Sequence, residues 1–237
     1  MAEFLLIHGS CHGAWCWRDL IPALRDLGHH ARAIDLPGNG LDATPLAEVT
    51  LERTVDRICE AMTPDSIVMG HSWGGTPITA AAERNVDALR GLIYLCAYVP
   101  LPGHSMIDMR KGAKRQLLAE AVDKSPDGLS YSVRDSEIQR LFYHDCSDEV
   151  VRFAKARLRP QAIAPQDTPV HLTDEFDKVP KAYIRCMDDR TIPPEYQVEM
   201  TRDWPDSQVH ELATSHSPFF SAPQKLAALM SQIAKDM

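Results

Sequence analysis

The run SIVMGHSWGGTPITAAAER, Ser66 to Arg84, constrains this chain more than any other stretch. An apolar segment suited to a buried strand leads into GHSWGG, and a helix of small residues leads out, so only a few residues remain for the turn. A turn that sharp strains the backbone of Ser72 and brings together the positions two residues either side, hence glycine at 70 and 74. G-x-S-x-G in this setting predicts a nucleophile elbow. The Ser72 hydroxyl would stand above the carboxyl ends of a sheet, with the backbone N–H of Trp73 at a helix start, aimed at an oxyanion.

The rest of the sequence repeats the strand–helix theme. Short apolar runs at Glu3–His8, His30–Leu36, Ser66–Gly70, Gly91–Cys96, Ala182–Cys186 and Gln208–Leu212 read as strands. Helical periodicity falls at Ala14–Leu27, Leu51–Met62, Trp73–Asn85, Pro194–Asp203 and Pro223–Ala234. This alternation predicts an α/β fold, a mostly parallel sheet of about six strands with helices on both faces. Between Tyr98 and Lys178 the pattern breaks into helical segments such as SEIQRLFYHDC and SDEVVRFAKARL, with no convincing strand. Residues 1–237 are therefore expected to form one domain, with 98–178 inserted as a helical cap over the site.

A serine hydroxyl becomes nucleophilic only beside a base, which in turn needs a carboxylate. In a fold of this kind the order is serine, acid, histidine, with the last two on loops after late strands. ATSHSPFF follows the last strand and places His216 where a base belongs; His210, its competitor, sits within the strand. RCMDDRTIPPEYQ offers Asp188 and Asp189 as the acid. A second oxyanion donor is expected from the loop after the first strand, HGSC, and falls to the N–H of Ser10.

That loop opens LLIHGSCHGAWCW, a cluster of histidines and cysteines that suggests a metal at first sight. His8 and His12 are four apart, but no helix carries them and no glutamate follows His8 as in H-E-x-x-H. Cys11 and Cys16 lack paired zinc-ligand spacing. The histidines are expected to bond loop backbone, and neither metal nor cofactor is required.

Composition narrows the partners. A net charge of −8 argues against a nucleic acid or an anionic membrane surface, and no run of eighteen apolar residues suggests a membrane span. With no basic leader before FLLIH, the chain is expected in the cytoplasm, its six cysteines reduced. The basic run Arg110–Arg115 reads as a solvated helix face, with contact to an anionic substrate as the alternative. Oligomeric state is open, a homodimer included.

LLIHGSCHGAWCWRDLIPALRDLGHHARAIDLPGNGLD, GHSWGG, LCAYVPLPG, DDRTIPPEYQ and SHSPFFSAPQKL together resemble the α/β-hydrolases that include plant methyl-salicylate and methyl-jasmonate esterases, hydroxynitrile lyases and bacterial carboxylesterases. The resemblance spans nearly the whole chain and is weakest in the cap. It implies Ser72 as nucleophile, Asp189 as acid, His216 as base, and the amides of Ser10 and Trp73 as oxyanion donors. Lyases of this kind carry threonine where Gly9 stands and lysine where Ser217 stands, so both departures match the esterase branch. The expected activity is a serine carboxylesterase for small hydrophobic or aromatic esters, with Trp73, Tyr98, Leu141, Phe142 and Tyr143 lining the pocket. A C–C lyase of the hydroxynitrile type and a non-catalytic small-molecule receptor are the alternatives.

Overall fold

The computed structural model describes all residues, 1–237. Six parallel strands form the central sheet: β1 (Glu3–Ile7), β2 (His30–Ile34), β3 (Ser66–His71), β4 (Gly91–Leu95), β8 (Lys181–Cys186) and β9 (Val209–Leu212), in the order β2-β1-β3-β4-β8-β9. Alternation within the strands sorts their side chains to two faces. Phe4, Leu6, Ile67, Met69, Ile93 and Leu95 join the apolar cluster that includes residues of α1 (Leu20–Asp26) and α10 (Pro223–Asp236). Leu5, Ile7, Val68, Leu92 and Tyr94 join the cluster that includes α2 (Leu51–Cys59) and α3 (Gly75–Arg84). Strands covered on both faces need continuous apolar sequence, which is why these runs stand out. No helix is long and apolar enough to cross a membrane.

The chain leaves β1 toward β2 on one side and returns to β3 on the other, so the loops after β1 and β3 diverge and open a crevice at their carboxyl ends. The register pairs Ile7 with Gly70, so both loops start at the same height.

The insertion departs from the helical expectation. Besides α4 (Met106–Gly112), α5 (Asp135–Phe142), α6 (Asp148–Lys155) and α7 (Asp174–Asp177), it holds an antiparallel sheet of β5 (Val122–Lys124), β6 (Ser130–Val133) and β7 (Gln161–Ala162). Strands of three, four and two residues are too short to display an alternating pattern. The helix read at Ala14–Leu27 is also broken: a 3-10 turn at Ala14–Trp17 precedes α1. After β8 and β9 come α8 (Pro194–Met200) and the short α9 (Pro218–Ser221), which close the loops carrying Asp189 and His216.

Candidate active site

Ser72 follows β3 directly with φ of 56°, the left-handed strain that the elbow requires. A Cβ on Gly70 would meet the Gly74 carbonyl oxygen at 2.6 Å, and one on Gly74 would meet the His8 carbonyl oxygen at 2.8 Å. Both lie inside van der Waals contact. Trp73 continues into a 3-10 turn that runs straight into α3, so its amide stands at a helix start. Its indole is buried, and the Nε1–H has no acceptor.

His216 lies on the loop after β9 and is only 1% exposed. Its Nδ1–H donates to Asp189 Oδ2 at 2.7 Å, which leaves Nε2 as the basic nitrogen. Asp189 accepts three further bonds: from the Thr191 and Ile192 amides at 2.6 and 3.0 Å, and from Gln197 Nε2 at 3.1 Å. A buried carboxylate so surrounded has its oxygens satisfied and its direction fixed. Asp188, its neighbour, is exposed. Ser72 Oγ and His216 Nε2 form no hydrogen bond here; such bonds often tighten only around bound substrate.

His71 ties the His216 loop to the turn at Ser72. Its Nε2–H donates to the His216 carbonyl at 2.8 Å, and the Cys96 thiol reaches the same oxygen at 3.6 Å. Burial, and then the nearby His216 and His12, hold the His71 pKa well below the ordinary value, so the ring is neutral. Gly9 packs against this ring: a Cβ there would lie 2.8 Å from both His71 Nδ1 and Ser72 Cβ.

The opening histidines are committed to scaffold. His8 Nδ1–H donates to the Gly9 carbonyl at 2.8 Å, and Nε2 accepts from the Leu36 amide at 3.1 Å. His12 Nδ1–H donates to the Ser10 carbonyl at 2.7 Å, while Nε2 accepts from the Tyr143 hydroxyl at 2.5 Å. Burial pushes the His12 pKa down to about 3, as an accepting nitrogen requires. Neither ring has a free nitrogen to offer a metal.

Among the residues expected to line a pocket, Phe142 stacks on His216, with centroids 5.8 Å apart at 25°. Tyr98 donates its amide to the Ser72 carbonyl at 3.0 Å. Leu141 and Tyr143 have no exposed surface; the Leu141 carbonyl accepts from Thr191 Oγ1, and the Tyr143 hydroxyl is spent on His12. These two hold loops in place.

The insertion also supplies residues that sequence reasoning missed. Gln166 Nε2 donates to Ser10 Oγ at 2.7 Å, and Gln161 Oε1 accepts from the Cys11 amide at 3.0 Å. Asp145 accepts from the amide and hydroxyl of Ser215, next to His216. With Thr191 bonded to Leu141, the cap grips the loops carrying Ser10, Asp189 and His216 alike. Local sequence carries no signal for contacts between residues 70 to 156 apart.

Residues 4–229 match the Alpha/beta hydrolase family. The chain is 30% identical to methylesterase 1 of Arabidopsis thaliana, across 98% of this chain and 95% of that protein. It is 31% identical to the pheophorbidase of Raphanus sativus, across 97% and 93%. Among solved structures, a pyrethroid hydrolase from Sphingobium faniae superposes with a TM-score of 0.88 at 26% identity, covering 99% of this chain and 97% of that one.

Proposed function

This chain belongs to the alpha/beta hydrolase family, and on that premise we propose that its ester hydrolysis runs through a Ser72–His216–Asp189 triad and an acyl-enzyme, on small esters with hydrophobic or aromatic acyl groups. The observation that carries this reading is the 2.7 Å bond from His216 Nδ1–H to Asp189 Oδ2, on the sheet edge where Ser72 is strained. That bond selects the tautomer with a bare Nε2, the form that can take a hydroxyl proton.

Ser72 Oγ attacks the ester carbonyl as its proton passes to His216 Nε2, and the imidazolium is balanced by Asp189. The carbonyl electrons become an oxyanion held by the amides of Ser10 and Trp73. As the tetrahedral adduct collapses, Nε2–H returns the proton to the departing alkoxide, and the alcohol leaves an acyl-Ser72. Water then attacks with His216 again as base, and the acid departs. Phe142 against the imidazole and Tyr98 beside the elbow support an apolar acyl site. The buried Ser217, whose hydroxyl has no partner, leaves no ammonium beside His216, which favours hydrolysis over cleavage that releases cyanide. Six free cysteines fit the reducing cytoplasm.

The test is labelling with a fluorophosphonate, followed by peptide mapping and p-nitrophenyl acetate hydrolysis. We expect the adduct on Ser72 and loss of both labelling and turnover in Ser72→Ala. Turnover that survives in Ser72→Ala would overturn the mechanism; tight ligand binding with no turnover in the wild type would point to a receptor.

A further inference from the structure

The basic run after the start of the cap does not sit wholly in solvent. Arg110, near the end of α4, is half-buried, and its Nε lies out of solvent with no hydrogen-bond partner. Among the side chains that are not themselves exposed, no other guanidinium or ammonium nitrogen is in that condition. In the same run Lys111 pairs with Asp108 and Arg115 with Glu195. Arg110 pairs with no carboxylate; Lys114 has none either, but it is exposed, whereas Arg110 is half-buried. A buried guanidinium donor without an acceptor is costly, and its planar fork suits a carboxylate better than any other partner.

Its surroundings connect it to the reacting centre. Arg110 lines a narrow cleft with Tyr98, Thr191 and Tyr196. Tyr98 donates its amide to the Ser72 carbonyl, and the Thr191 amide donates to Asp189. Tyr196 fixes the end of α4 by donating its hydroxyl to the Met109 carbonyl at 2.6 Å. The bidentate Arg115–Glu195 pair, at 2.6 and 2.8 Å, links the segment after α4 to α8 beside the same cleft. At about 10 Å3 the cleft has room for about one water as it stands. A carboxylate needs more room than that, so its binding requires the exposed segment around Lys114 and Arg115, tied to α8 by one surface ion pair, to move outward.

We propose that Arg110 is a specificity residue that binds an anionic carboxylate on the substrate, so that the preferred esters carry a free acid group in addition to the scissile ester. This rests on the serine-esterase reading and refines its substrate class. The guanidinium neutralises the acid without touching the scissile carbonyl, so its effect falls on which esters are turned over.

The test compares monomethyl glutarate with dimethyl glutarate, placing the acid on the acyl side, and O-acetylglycolate with its methyl ester, placing it on the alkoxy side. For wild type, Arg110→Gln, Arg110→Lys and Lys114→Gln, the readout is the ratio of kcat/KM for the acid to that for its neutral partner. The wild type is expected to favour the free acid in at least one pair. Arg110→Gln should cut that ratio about tenfold or more, Arg110→Lys should keep part of it, and Lys114→Gln, which removes equal charge from an exposed site, should leave it unchanged. The pair that responds identifies the side on which the acid sits. No free-acid preference in either pair, an intact ratio in Arg110→Gln, or an equal fall in Lys114→Gln would overturn the proposal. Ser72→Ala, assayed on p-nitrophenyl acetate, tests the underlying mechanism separately.

Discussion

The rim of the sheet and the cap over it are held by different forces. Cys11, Ser72 and Cys96 are the chain's only non-glycine residues with positive φ, at 66°, 56° and 35°, and all three follow the carboxyl ends of β1, β3 and β4. The cap has no such residue. Its helices pack Ile138, Leu141, Phe142, Val151 and Ala154 into one of the two central apolar clusters and Met106, Met109 and Phe176 into the other, with exposed ion pairs that add little. Backbone strain survives only where the surroundings over-determine it, so the rim is suited to holding reacting groups in one geometry. The cap is held by side-chain packing on unstrained backbone, which tolerates volume-conserving substitution and so suits it to varying the substrate.

The proposed triad gives the sharpest way to break this contrast. Asp189→Asn is expected to lower kcat about 10⁴-fold, whereas Asp188→Asn, altering an exposed neighbour, should change it by no more than about threefold. Comparable losses would mean that position on the loop, rather than the His216 bond, sets activity.

Acid should weaken the rim next. Burial lowers the pKa of His8, His12 and His71, to about 3 for His12, while each ring titrates near 6.5 once unfolded. The unfolded chain therefore binds more protons below that value. Stability is complete above about pH 6.5 and is lost as pH falls toward the folded-state values, by about 1.4 kcal/mol per pH unit for each histidine. Urea midpoints should drop between pH 7.5 and pH 5.0; a flat profile would show that the buried rings accept protons in place.

Gln166→Ala and Gln161→Ala probe the seam where cap meets rim. Each should lower kcat about 10- to 100-fold with little change in KM, because the loop carrying the oxyanion amide loses its brace. A KM effect alone would assign these residues to substrate binding.

Smallest is a pair of glycine substitutions read by urea unfolding. Gly70→Ala drives a methyl into the Gly74 carbonyl and should cost about 1–3 kcal/mol or more. Gly128→Ala, at φ 73° in the cap with nothing within 4 Å, should cost about 1 kcal/mol through backbone strain alone. Equal costs would erase the distinction between a packed rim and an open cap.

The central strands were legible as short runs bounded by turns, near-continuously apolar in β1, β3 and β4, while β2 (HARAI) and β9 (VHEL) mix in polar residues and stand out by the strand–helix alternation. Ser72 and His216 were legible as candidates because an elbow and a loop after the last strand are local patterns. The choice between Asp188 and Asp189 was not settled by residue type or spacing, since adjacent carboxylates in a loop look alike; only their opposite burial separates them. The cap sheet escaped notice because two- to four-residue strands have no measurable period. The sequence of the basic run does not separate a solvated charge from one facing a substrate; the partial burial of Arg110 and its unpartnered Nε distinguish it from the exposed Lys111 and Lys114.

The order of strands and helices and the glycines of the elbow were written in the sequence itself, because burial and steric collision act over a few residues. Which carboxylate faces the imidazole, how four cap residues grip the loops below, and where an unpaired guanidinium comes to rest were decided by tertiary packing. Those depend on distances between segments far apart along the chain, and no local pattern encodes them.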